Sequence, residues 1–187
     1  MKRFFGKPLI LILLIAMVLL RVIEPGIDPP SFYSGHGQAE LTDPYNLTTF
    51  ARNAVIYNNS DPFNYHRWDI FKFSLVSAFS YLIFSVAGVS RAIANIGAVI
   101  LNVGGLALFL LGLNLYWDRR KTAITALLLL INSTLFFYGR LPFLENGLIF
   151  LSGLTFFIFA RYNERLWGQF LIGALIALAA LAGKLFG

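Results

Sequence analysis

A transmembrane bundle of α-helices is the fold class that the sequence predicts, and two observations carry that prediction. Hydrophobic residues make up 58% of the 187 residues and charged residues only 13%, whereas about a quarter of the residues in a soluble domain are charged. Six nearly uncharged stretches approach the length of about 17–25 residues that a membrane-crossing helix requires. The chain contains no cysteine, which excludes a disulfide scaffold and thiolate metal sites.

Five of the uncharged stretches are predicted to cross the membrane. The first follows three basic residues and lacks a small-residue cleavage site, so we expect an uncleaved helix with its N-terminus in the cytoplasm. The sixth stretch, residues 73–90, interleaves aromatic residues and serines, as surface helices do. The predicted spans are residues 8–23, 92–117, 122–139, 146–160 and 166–186.

The distribution of charge decides whether residues 73–90 cross. If they cross, the basic cluster Arg119–Lys121 falls outside the cell. If they do not, the cytoplasmic side carries eight basic and two acidic residues, and the outer side six basic and seven acidic residues. Because cytoplasmic loops carry the excess of lysine and arginine, the second topology is favoured. It predicts that residues 70–88 form a helix on the outer side that does not cross.

One large external loop, about residues 24–91, contains most of the polar chemistry. Asp43 and Pro44 predict a helix start, since aspartate caps free N–H groups and proline suits the first turn. The apolar residues that follow have helical spacing, which predicts an amphipathic helix lying along the membrane surface. They are Leu47, Phe50, Ala51, Ala54 and Val55.

These features resemble the GT-C superfamily of membrane glycosyltransferases. More narrowly, the chain is similar to the protein O-mannosyltransferases, the aminoarabinose transferase of lipid A and the broad bacterial group of related transferases. The family pattern has an aspartate at the head of the first loop helix, a tyrosine soon after, and an Ala-Arg pair eight and nine residues on. Asp43, Tyr45, Ala51 and Arg52 match that pattern. Pro44 departs from it, because a glutamate is common there.

Three further motifs extend the resemblance over nearly the whole chain. Arg140 and Glu145 match an arginine followed five residues later by an acidic residue. Lys184 matches a lysine that ends a helix rich in small residues, and Arg91 matches an arginine that opens the second span. The resemblance implies that residues 1–187 are the N-terminal portion of a larger catalytic module whose C-terminal remainder is missing.

The resemblance also implies an activity. Such enzymes transfer a sugar from a polyprenyl-phosphate donor to a lipid, glycan or protein acceptor at the outer face of a bacterial or archaeal cell membrane. Asp43 would be the base of an inverting transfer, with Glu145 the second catalytic carboxylate. Arg91, Arg140 and Lys184 would bind the donor phosphate.

Other interpretations of these residues stay open at this point. Asp43 could simply cap its helix, Glu145 could be an interfacial residue, and the cations could reach the membrane surface as anchors. No cofactor is certain; a divalent metal would find ligands in His36 and Glu40, with Asp43 close in sequence. Cytoplasmic loop ends account for the basic charge, so nucleic acid is not expected as a partner. The alternative to an enzyme is a non-enzymatic polytopic membrane protein, such as a transporter fragment or an assembly subunit.

Overall fold

The computed structural model describes residues 6–26, 45–58 and 75–182, and this part of the chain is helical throughout, with no strand. Tight turns or single extended residues join most neighbouring helices. The helices are α1 (Gly6–Val22), α2 (Asn46–Tyr57), α3 (Leu75–Ala87), α4 (Arg91–Tyr116), α5 (Arg119–Ile131), α6 (Ser133–Tyr138), α7 (Leu144–Tyr162) and α8 (Leu166–Ala182).

Polar side chains just before three helices determine where those helices begin. Ser90 accepts a hydrogen bond from the N–H of Ile93 at the start of α4. Asp118 accepts from the N–H of Lys121 at the start of α5, and Asn132 from the N–H of Leu135 at the start of α6. Each cap satisfies an amide that has no partner inside its own helix.

The predicted span 122–139 is not one continuous helix. Asn132 interrupts it with an extended backbone at φ −70° and ψ 110°. The Asn132 side chain takes the place of a main-chain acceptor for the next helix, so α5 and α6 are separate. The other predicted spans coincide with α1, α4, α7 and α8 within a few residues wherever the structure describes them.

The central contact of the bundle is the packing of α4 along α7, which run parallel. Gly105 faces the backbone of Ile149, and a methyl group added to Gly153 would lie 2.1 Å from the carbonyl oxygen of Gly105. Glycine at these positions lets the two backbones approach as small residues do between membrane helices.

The remaining helices surround this pair. Helix α1 packs against α4 and α5, with Met17 fully buried among Val99, Val103 and Leu106. Helix α8 packs on α7, and α2 packs on α3. As a result α1 and α6 end, and α4 and α7 begin, at the same end of the bundle. We call this the loop end.

Among the described residues, two helices are long and apolar enough to cross a membrane, namely α4 and α7. They contain 26 and 19 residues, or about 39 and 28 Å at 1.5 Å per residue. Helices α1, α3 and α8 are apolar but shorter. Length and composition therefore indicate association with a membrane.

Helix α3 covers residues 75–87 of the surface helix that the sequence predicts over 70–88. Its 13 described residues extend about 20 Å. The buried residues of α3 face α2, α4 and α7. They are Val76, Ser77, Ser80 and Phe84.

Candidate functional site

The candidate site lies at the loop end and is built around the turn between α6 and α7. Gly139 begins this turn, and a Cβ there would lie 2.8 Å from the side-chain oxygen of Asn102 and 2.5 Å from the carbonyl oxygen of Leu135. Leu141 and Pro142 are buried. The turn is therefore packed tightly enough that the residues it carries have defined positions.

Asn146 holds the turn closed from inside the bundle. Its Nδ2 donates to the carbonyl oxygens of Tyr138 at 3.0 Å and Leu141 at 2.7 Å. Its Oδ1 accepts a hydrogen bond from Nδ2 of Asn102 at 2.9 Å. Buried polar groups of this kind are costly unless paired, and here the pairing connects α4, the turn and the first turn of α7.

Arg140 joins the turn to the end of α1. Its Nη2 donates to the carbonyl oxygens of Ile23 at 2.7 Å and Glu24 at 3.2 Å. Glu24 has a positive φ of 49°, a conformation that is uncommon outside glycine. The guanidinium group also lies 5.8 Å from the ring centroid of Phe136. The predicted phosphate ligand Arg140 therefore also has a structural role in holding this segment.

Asn95 makes the corresponding connection from α4. Its Nδ2 donates to the carbonyl oxygen of Pro25 at 2.7 Å, and its Oδ1 accepts from the hydroxyl of Tyr45 at 3.1 Å. The guanidinium group of Arg91 lies 5.7 Å from the centroid of the Tyr45 ring. The residue preceding α2, the start of α4 and the segment after α1 thus meet in one polar network.

Helix α2 lies over the loop end. Leu47 is buried with Val76, Leu101 and Leu144, and Ala51 is buried with Phe84 and Ala94. The hydroxyl of Ser77 donates to the carbonyl oxygen of Leu47. The structure confirms that the loop helix packs over the end of the bundle that carries Arg140 and Glu145.

Three of the predicted site residues lie at this end. Arg140 donates to the carbonyl oxygens of Ile23 and Glu24, whereas Arg91 lies against the ring of Tyr45. Glu145 is exposed beside the buried Leu144.

The other predicted site residues lie outside the described ranges. Asp43, Lys184, His36 and Glu40 therefore keep the status of predictions. Helix α2 begins at Asn46, and Tyr45 before it has no side-chain cap hydrogen bond. In the described part of the chain no group of three metal-ligating side chains comes together.

The polar residues that build this end were not singled out by the sequence argument. Asn95, Asn102 and Asn146 are 3%, 1% and 1% exposed, and each lies in an otherwise apolar helix. A polar side chain inside such a helix is a signal for a buried partner. Arg21, the one charged residue in the predicted span 8–23, is 1% exposed.

The opposite end of the bundle carries exposed charged and aromatic side chains. A hydrogen bond from the N–H of Lys121 lowers the pKa of the Asp118 carboxyl group below its ordinary value of 3.8. Lys121 also lies 3.9 Å from this carboxylate in an exposed ion pair. Arg165 lies 5.9 Å from the ring centroid of Tyr162. These residues form an exposed basic and aromatic rim.

No protein-family model, no curated protein and no solved structure matches this chain.

Proposed function

We propose that this chain belongs to a membrane glycosyltransferase that moves a sugar from a polyprenyl-phosphate donor to an acceptor on the outer face of the membrane. The observation that supports the proposal best is the organisation of the loop end. Hydrogen bonds from Arg140 and Asn95 hold the segment after α1, and α2 covers the beginnings of α4 and α7. Two predicted phosphate ligands and one predicted catalytic carboxylate therefore belong to one end of the molecule.

The proposal includes five membrane crossings, made by α1, α4, the α5–α6 pair, α7 and α8. The positive-inside rule then places the loop end outside and the rim with Arg119–Lys121, Arg161 and Arg165 in the cytoplasm. Large apolar side chains are exposed along α1 and α8, which fits contact with lipid. Helix α3 stays on the outer surface, because crossing would reverse every helix that follows it.

The chemistry requires a proton acceptor and a site for the departing phosphate. The acceptor hydroxyl gives its proton to a carboxylate, its oxygen bonds to C1 of the sugar, and the bond from C1 to the phosphate oxygen breaks. Polyprenyl phosphate leaves with that electron pair. Asp43 is the proposed base and Glu145 the second carboxylate. Arg91, Arg140 and Lys184 would stabilise the charge that develops on the phosphate.

The proposal is tested by sugar transfer in membranes that contain the protein, with a radiolabelled polyprenyl-phosphate sugar as donor. Asp43→Asn retains a hydrogen-bond acceptor but not the base, and should lower the rate about 10²–10⁴-fold. Glu164→Gln is the matched control, since Glu164 is an exposed carboxylate between α7 and α8, at the opposite end.

The same assay separates the possible outcomes. Normal transfer by Asp43→Asn with inactive Glu145→Gln would move the base to Glu145. Normal transfer by both variants, or no transfer by the unmodified protein, would contradict the mechanism. The non-enzymatic membrane protein would then become the better interpretation.

A further inference from the structure

Arg21, in the last turn of α1, has polar groups that no described residue satisfies. It is the largest of the fully buried side chains, at 1% exposed. A guanidinium group carries five N–H donors. Nη1 donates to the carbonyl oxygen of Met17 at 3.2 Å, while Nε and Nη2 are buried without a partner. A buried arginine with unpaired donors is expensive for a fold to retain, so the arrangement requires an explanation.

A second arginine shares the aromatic neighbour of Arg21. The Cζ atoms of Arg21 and Arg140 lie 5.5 and 5.8 Å from the centroid of the Phe136 ring. The two guanidinium carbons are therefore no more than about 11.3 Å apart, which is those two distances laid end to end. Across the described ranges, neither arginine forms an ion pair with a carboxylate. Two positive charges thus lie at one ring, and within the described ranges no carboxylate pairs with either of them.

We propose that Arg21 and Arg140 bind an anion of the phosphate class at the Phe136 ring. Arg21 would bind from the buried side and Arg140 from the half-buried turn. A carboxylate is satisfied by one bidentate arginine, whereas a phosphate has oxygens enough for two guanidinium groups. This site rests on the proposed function for the chemical class of its ligand. It extends that function by adding a buried cation, Arg21, to the end of the molecule that would bind the donor. Its binding does not depend on turnover.

The distinguishing variant is Arg21→Met, which keeps an unbranched side chain of similar length and removes the charge. If Arg21 serves a ligand, this replacement removes an uncompensated buried charge and should leave the Tm of the anion-free protein unchanged or higher. If Arg21 is needed only for the fold, the same replacement lowers the Tm. A lower Tm, or a variant that fails to fold, overturns the proposal.

Binding is measured on the purified chain in phosphatidylcholine nanodiscs, with tryptophan fluorescence reporting the Tm. The probes are farnesyl phosphate, inorganic phosphate, farnesol and laurate. Farnesyl phosphate should raise the Tm of the unmodified protein, and farnesol should not. A shift with inorganic phosphate as well identifies the free anion as sufficient; a shift with farnesyl phosphate alone identifies a lipid-linked one. No shift with either phosphate, or an equal shift with laurate, overturns the proposal.

Variants then assign the effect to the pair. Arg21→Met should abolish the shift, and Arg21→Lys should weaken the apparent affinity for farnesyl phosphate by about tenfold or more, the equivalent of losing one charge-assisted hydrogen bond. Arg161→Met, an exposed arginine at the end of α7, is the matched control and should leave the affinity unchanged. Unweakened binding in both Arg21 variants overturns the role of Arg21. Loss of the transfer reaction would contradict the proposed function without affecting this result.

Discussion

Asn102 donates a hydrogen bond to Asn146 across the interface of α4 and α7, at a distance of 2.9 Å. Both side chains are 1% exposed. The side-chain Nδ2 of Asn146 donates to the carbonyl oxygens of Tyr138 and Leu141. One buried side chain therefore couples the packing of the two longest helices to the conformation of the turn that carries Arg140.

Replacing either asparagine of this pair should destabilise the bundle. Asn146→Ala removes the partner of the buried Asn102 Nδ2 and one of the two hydrogen bonds that each carbonyl oxygen of Tyr138 and Leu141 accepts, at a cost of about 1–3 kcal/mol. The coupling energy between Asn102→Ala and Asn146→Ala should be about 0.6 kcal/mol or somewhat more, as for hydrogen bonds between membrane helices. A double-mutant cycle of equilibrium unfolding in mixed micelles measures it, and strictly additive effects would contradict the coupling.

The glycine contact between α4 and α7 gives a second prediction. Gly153→Ala would place a methyl group 2.1 Å from the carbonyl oxygen of Gly105, so the helices must separate, at a cost of about 1–3 kcal/mol or more. Gly173→Ala is the matched control, because nothing lies within 4 Å of the added group. That change should be neutral or stabilise α8 by up to about 1 kcal/mol. Equal unfolding midpoints for the two variants would argue against the close packing.

Arg140 should restrain the segment after α1. Arg140→Gln loses the paired hydrogen bonds to Ile23 and Glu24, so the amides of residues 23, 24 and 26 should exchange with deuterium faster than in the unmodified protein. Arg120→Gln, at an exposed position of α5, should leave those amides unchanged. Exchange that is equally slow in both variants would show that the clamp is dispensable.

The five-span topology predicts which side of the membrane each end faces. The chain has no cysteine, so a single introduced cysteine is the only site in the chain that a maleimide can label. A membrane-impermeant maleimide applied to intact cells should label Arg52→Cys, on an exposed position of α2, and should not label Arg119→Cys until the cells are opened. Labelling of position 119 from outside would mean that the segment containing α3 crosses the membrane.

The cap of α5 should have a defined pH dependence. Because the pKa of folded Asp118 is lowered by the N–H of Lys121, the contribution of this carboxylate to stability is present above its unfolded pKa. It is lost as the pH falls through the lower, folded value. The Lys121 amide chemical shift should therefore titrate below pH 3.8, the ordinary carboxyl value. Asp118→Asn retains an acceptor and should abolish that titration. A midpoint at or above the ordinary value would contradict the cap.

The helices themselves could be predicted from the sequence because their signals are local. An uncharged run places α4 at 92–117 where the structure has Arg91–Tyr116, and helical spacing of apolar residues predicts α2. The run at 122–139 predicted one continuous helix, which is wrong. A count of apolar residues does not register that the side chain of Asn132 can accept a hydrogen bond and start a new helix. Asp43, Lys184, His36 and Glu40 stay predictions, and so does the transfer of sugar.

The partners of the polar residues required the tertiary structure. Asn102 and Asn146 are 44 positions apart, and Arg140 and Ile23 are 117 apart. The periodicity of the sequence does not indicate which buried asparagine pairs with which. That pairing depends on how α4 and α7 pack against each other at Gly105 and Gly153. The sequence alone determined an apolar helical bundle with its polar loop at one end. The close packing of two backbones decided which side chains meet there, and Nε and Nη2 of Arg21 are buried without a partner among the described residues.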